Sequence, residues 1–153
     1  MTNKHLTFAI FGNSFQPRKS QSLMRVLDFL RSKGASIIFD RTFYDFLTAE
    51  QNQELGEVGT FEGDDFNADY VISMGGDGTF LKAAVRVGIK SIPLIGINMG
   101  RLGFLADVLP GEVETALQAV LEGNYNIEEH TAIQISTNGG DFDGCHYALN
   151  DIA

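Results

Sequence analysis

The sequence predicts an α/β protein, a mostly parallel sheet with helices on both faces, followed by a β-hairpin that opens a separate all-β unit. Three observations predict it. Residues 6–11, 70–73 and 92–98 are near-continuous apolar runs, as expected of strands covered on both faces. Amphipathic helical segments separate those runs, the pattern of a parallel sheet. After Tyr125 the apolar period changes to two. The chain has 153 residues, enough for a sizeable core, since a chain of this length typically buries about 68–70% of its unfolded surface.

Residues 6–11 form the first strand, and the polar connector GNSFQPRKS follows it. A helix starts at Ser20, which can cap it, and runs to Gly34, which can end it. Leu23, Val26, Leu27 and Leu30 fall on one face of that helix. Residues 36–39, SIIF, are the second strand. In the next stretch Phe43, Phe46 and Leu47 suggest a short helix. The rest, up to residue 68, is acidic and weakly periodic and reads as a mobile surface connection.

YVIS, residues 70–73, is the third strand, and residues 79–87 form the helix after a glycine turn, with Gly88 as its stop. IPLIGIN, residues 92–98, is the fourth strand, with Pro93 near its start, where proline is tolerated. MGRLGFLADVLPG is a loop, and EVETALQAVLEG a helix with Val113, Ala116, Leu117, Val120 and Leu121 inward and Gly123 at its end. The sum is a Rossmann-like order of strands and helices, in which ligands sit at the carboxyl ends of the strands.

Residues 1–126 are therefore read as one α/β domain and residues 127–153 as the start of a C-terminal β domain. Ile127, Glu129, Thr131, Ile133 and Ile135 alternate with Glu128, His130, Ala132, Gln134 and Ser136. TNGGDFDG supplies a turn, and CHYALNDIA a second strand. Two strands alone are marginal in water, so the remainder of that domain is expected beyond Ala153.

Hydrophobic residues make up 44% and charged residues 20%, an ordinary globular balance. The formal net charge of −9 disfavours nucleic acid and anionic membranes as partners, because there is no basic surplus to displace counterions. An anionic small ligand is still allowed, since backbone N–H groups bind phosphate without lysine or arginine. Cys145 is the only cysteine, so no internal disulfide can form, which fits a reducing compartment. The first apolar run is too short for a signal peptide or a membrane span, and a soluble, cytoplasmic protein is expected. His5, His130 and His146 show no metal-ligand spacing with Cys145.

The segment with the most chemical content is Gly75-Gly76-Asp77-Gly78, where a strand meets a helix. Glycine tolerates positive φ and has no Cβ, so successive N–H groups can converge on an anion at the helix N-terminus. The bland alternative is a tight turn. A carboxylate there would repel a phosphate directly. It becomes useful if it holds Mg²⁺ between phosphates or takes a proton from a hydroxyl nucleophile. The turn is not a Walker loop, and the dinucleotide fingerprint fails at its last position. Thr79 reads either as a helix N-cap or as a ligand contact. Lys82 is either a solvated helix lysine or a ligand contact. Phe104 and Leu105 read as core or as site wall, and Arg101 as a loop arginine. Asn13 follows the first strand, at another carboxyl end, where it can border a nucleotide.

GGDGTFLKA, IGINMGRLGFLAD and ALNDI, in that order, resemble the NAD kinase family. GGDGT alone is shared with diacylglycerol and sphingosine kinases; the second motif is far more specific. The resemblance implies an enzyme that moves the terminal phosphate of ATP, or of polyphosphate in some members, to the 2′-hydroxyl of the adenosine ribose of NAD, with Mg²⁺. It implies Asp77 as the catalytic acid–base residue and Gly78, Lys82, Phe104, Asn150 and Asp151 as NAD contacts. It also implies a site between two domains, and homo-oligomers. Gly75, Gly76, Gly78 and Thr79, with Asn13, are the expected ATP-phosphate contacts. One departure is Asp151, where the family usually has glutamate; the carboxylate is retracted by one methylene. A lipid kinase of the diacylglycerol class would carry a downstream G-T-x-N-D motif, which is absent. A non-catalytic nucleotide-binding module is the alternative of a different class.

Overall fold

The computed structural model describes residues 4–12, 20–99, 103–134, 138 and 147–149. Five parallel strands form one sheet: β1 (Thr7–Gly12), β2 (Ser36–Asp40), β3 (Gly59–Phe61), β4 (Tyr70–Gly75) and β5 (Leu94–Asn98), in the spatial order β3-β2-β1-β4-β5. The chain moves outward from β1 through β2 to β3, returns to place β4 on the other side of β1, then adds β5. The direction of winding thus reverses between β1 and β4. The carboxyl ends of that pair form the crevice where open α/β sheets bind ligands.

Period two along β1 divides the core. Phe8 and Ile10, with Ile72, Met74 and Ile97, pack beneath helix α1 (Ser20–Ser32) and helix α4 (Val113–Leu121). Ala9, Phe11 and Val71 face helix α3 (Asp77–Val87) and Phe66. Strands covered on both faces need apolar residues at every position, hence the unbroken runs. Leu23, Val26, Leu27 and Leu30 of α1 are all buried, as their helical spacing predicts. Truncating one of them to alanine typically costs about 2–5 kcal/mol, more than any single polar contact described below.

The stretch after β2 differs from its sequence reading. Asp40 caps a short helix α2 (Arg41–Asp45), which runs on as a π-helical turn, Phe46–Glu50. The expected surface connection then contributes strand β3 and two buried anchors, Leu55 and Phe66. β3 lacks a readable period because it is a three-residue edge strand with two exposed positions. The acidic residues between β3 and β4 are partly structural. Asp69 accepts from the Thr7 N–H at 2.8 Å and pairs with Lys4 at 3.0 Å, while Asp64 lies 2.5 Å from Arg86.

In α4 only Val113 and Leu117 are fully buried; Ala116, Val120 and Leu121 are half-buried. The period-two region yields an antiparallel pair, β6 (Ala132–Gln134) and β7 (Tyr147–Leu149), with Ile133 opposite Ala148. Ile127 lies before that pair and is exposed, so the expected strand starts five residues later. The TNGGDFDG turn, apart from residue 138, lies outside the described residues.

Candidate functional site

The glycine turn sits where β4 ends, on the reversal crevice. Gly76 is the N-cap of α3, and Asp77 is the first helical residue. α3 therefore starts two residues earlier than its apolar pattern suggests. None of Gly75, Gly76 and Gly78 has positive φ, so this turn does not use the left-handed freedom expected of it. The glycines supply space instead. A Cβ on Gly75 would collide with the Thr79 side chain, whereas Gly76 and Gly78 face open space. Thr79 is neither the N-cap nor exposed: it is the third helical residue, buried against Gly75. The first N–H groups of any α-helix have no partner within it, and in the 11-residue α3 that end is Asp77, Gly78 and Thr79.

Asp77 does not project freely. Its carboxylate turns to the loop after β5 and accepts three backbone hydrogen bonds: from Phe104 N–H to Oδ2 at 2.8 Å, and from Leu105 and Ala106 N–H to Oδ1 at 2.9 and 3.2 Å. These donors hold the Asp77 pKa below the ordinary carboxylate value, Phe104 first, then Leu105 and Ala106, against a small opposing effect of burial. No lysine or arginine among the described residues pairs with it. A carboxylate offers about four lone-pair sites. Oδ1 has used both of its own, and Oδ2 has one left.

Gly103 makes this possible, since a Cβ there would fall inside the Asp77 carboxylate. The same loop is tied to the sheet. Asn98 N–H donates to Val108 C=O at 2.7 Å, Val108 N–H to Gly96 C=O at 3.1 Å, and Met99 N–H to Gly75 C=O at 3.1 Å.

The structure thus joins Asp77 to Phe104 across 27 residues of sequence. The Phe104 ring is 100% exposed, which removes the core reading of that residue. Leu105 is half-buried, and Lys82 lies exposed on α3. Asn13, Arg101, Asn150 and Asp151 lie outside the described residues, as do Cys145 and His146. His5 sits 2.5 Å from Ser36 Oγ, and His130 3.5 Å from Glu128. Among the described residues, no three His, Cys, Asp or Glu side chains converge as a metal site, and no helix is long and apolar enough to cross a membrane. Sequence reasoning passed over Asn98 and Gly103. The available signals were a polar residue closing an apolar strand, and a glycine directly before Phe104.

A parallel α/β sheet with a glycine turn and a carboxylate at its reversal crevice has the layout of the doubly wound folds, in which ligands sit at that crevice. Comparison with known proteins narrows the class. The family model of the ATP-NAD kinase N-terminal domain matches residues 8–125. An NAD kinase of Bacteroides fragilis is 45% identical over 148 residues, 97% of this chain and 51% of the relative. One from Porphyromonas gingivalis is 34% identical, over 95% of this chain and 50% of the relative. The crystal structure of yeast NADH kinase complexed with NADH shares the fold, with a TM-score of 0.70 at 16% identity, covering 97% of this chain and 46% of that one. The chain belongs to the NAD kinase family and spans about half the length of the relatives it matches.

Proposed function

We propose that the protein carrying this chain is an NAD kinase, transferring the terminal phosphate of ATP to the 2′-hydroxyl of the adenosine ribose of NAD to give NADP and ADP. The observation that carries this reading is Asp77. It is an ionised carboxylate at a strand end, held by backbone dipoles and uncompensated by a described cation, with one acceptor site left on Oδ2.

The ribose hydroxyl donates to that oxygen and attacks the γ-phosphorus. The bond from the γ-phosphorus to the bridging oxygen breaks, ADP leaves with its electron pair, and the hydroxyl proton passes to Asp77. A depressed pKa makes Asp77 a weak base. Phosphoryl transfer has a loose transition state in most analyses, so the nucleophile keeps its proton until late and a weak base suffices.

Gly75, Gly76, Gly78 and Thr79 form the backbone rim for the donor's phosphates, with Asn13 beside it. The exposed Phe104 ring offers a face for the adenine, and Gly78, Lys82, Asn150 and Asp151 complete the dinucleotide contacts. Mg²⁺ usually keeps waters and phosphate oxygens as ligands and needs only one or two carboxylates. It would therefore arrive on the donor's phosphates rather than in a protein cage. A homo-oligomer and a cytoplasmic location are part of the same proposal.

The test is a coupled assay of NADP formation, on this chain and on the full gene product. NADP made by the full product supports the reading. Phosphorylation of diacylglycerol instead would replace it with a lipid kinase, and nucleotide binding without turnover in either preparation would leave a binding module.

A further inference from the structure

We propose that Asn98 is a positioning residue for the phosphoryl transfer, acting on Asp77 through the main chain of Ala106. The catalytic part of this inference rests on the kinase reading above; the structural part does not.

Asn98 closes β5 and is fully buried, one of three buried polar or charged residues among those described. A buried amide in an apolar layer is costly unless it is hydrogen-bonded. Its Nδ2–H donates to Ala106 C=O at 3.2 Å. Ala106 is itself fully buried, and its N–H donates to Asp77 Oδ1 at 3.2 Å. Both main-chain groups of Ala106 are thus held by side chains, the carbonyl by Asn98 and the N–H by Asp77.

Packing fixes the same residue. A Cβ on Gly96 would lie 2.7 Å from Ala106 Cα and 2.9 Å from the Phe80 ring, so only a glycine on β5 lets Ala106 come this close. Ile97 and Val108 add a parallel bridge two residues further on. The loop is therefore a short extension of the sheet, registered at Ala106. Its free end presents the Phe104 and Leu105 N–H groups to Asp77 and the Phe104 ring to solvent. Moving Ala106 rotates all three donors relative to the carboxylate. Misplacing a reacting group by about 1 Å can cost 10²-fold in rate.

The experiment combines Asn98→Leu, which keeps volume and removes the donor, with Asp77→Asn and the double variant. Asn98→Ser, smaller and still polar, supplies the comparison should the leucine variant not fold. Amide hydrogen exchange is followed on this chain, and kinetics on the full gene product. The expected result is exchange at least about tenfold faster at Phe104, Leu105 and Ala106 in Asn98→Leu, with the β1 and β4 amides unchanged. In kinetics, kcat should fall by about 10–100-fold with KM for ATP little changed. The double variant should be no slower than Asp77→Asn alone, because the two residues act through one linkage.

Uniform acceleration across the sheet, or additive losses in the double variant, would show a merely structural asparagine and overturn the proposal. Absence of NADP formation by the unsubstituted gene product would refute the kinase reading instead. The exchange pattern would then still decide whether Asn98 holds the loop.

Discussion

Asp40 and Asp77 occupy equivalent places, each at the carboxyl end of a parallel strand and at the start of a helix, yet they are used in opposite ways. Asp40 is consumed by the fold. It caps α2 through the Phe43 N–H, and its Oδ1 lies 3.0 Å from Arg86, whose guanidinium also packs on the Phe11 and Phe61 rings. Its charge is cancelled, and its side chain is only 14% exposed. Asp77 is held instead by three N–H dipoles, and no lysine or arginine among the described residues cancels its charge. The difference teaches how one architecture makes either a structural acid or a reactive one. A cation neutralises the carboxylate and ends its chemistry, whereas backbone amides orient it and keep it ionised.

The most severe way to break this comparison is to remove the charge of Asp77. Asp77→Asn in the full gene product should lower kcat by about 10²–10⁴-fold, the usual worth of general-base assistance, while circular dichroism stays native. Next is Gly103→Ala, whose added methyl would displace the carboxylate from its amides. A loss of about 10²-fold in kcat/KM is expected, with only a modest change in Tm. Phe104→Ala should leave stability unaltered, since the ring touches solvent only. It should raise KM for NAD by about 5–150-fold, if base stacking is worth about 1–3 kcal/mol. On the other side of the comparison, Asp40→Asn should cost about 1–3 kcal/mol in urea unfolding and leave kcat unchanged. A loss of turnover there would mean that the two acids are not separated in function.

The sheet was legible in the sequence because burial on both faces leaves unbroken apolar runs, and α1 because four apolar residues keep helical spacing. β3 was not legible, since three edge residues with two exposed positions carry no period. The position of Asp77 was legible from its glycine neighbours, but the reason for those glycines was not. Gly75 and Gly103 make room for Thr79 and for the Asp77 carboxylate, and such contacts join residues that local pattern cannot relate. The grip of the loop amides on Asp77 spans 27 to 29 positions, and no periodicity reports a bond between a side chain and a distant main chain.

Acid links the structural and chemical sides of the account. The folded pKa of Asp77 lies below its unfolded value, so between the two the unfolded chain binds more protons. The stabilisation it provides is present above that unfolded value and is lost as pH falls through the folded pKa. The decisive measurement is an NMR titration of this chain that follows the Asp77 side-chain carboxyl carbon together with the Phe104, Leu105 and Ala106 amides. One shared transition with a midpoint below the ordinary aspartate range is the predicted result. A midpoint at or above that range, or loop amides that ignore the titration, would contradict an acid held ionised by the loop.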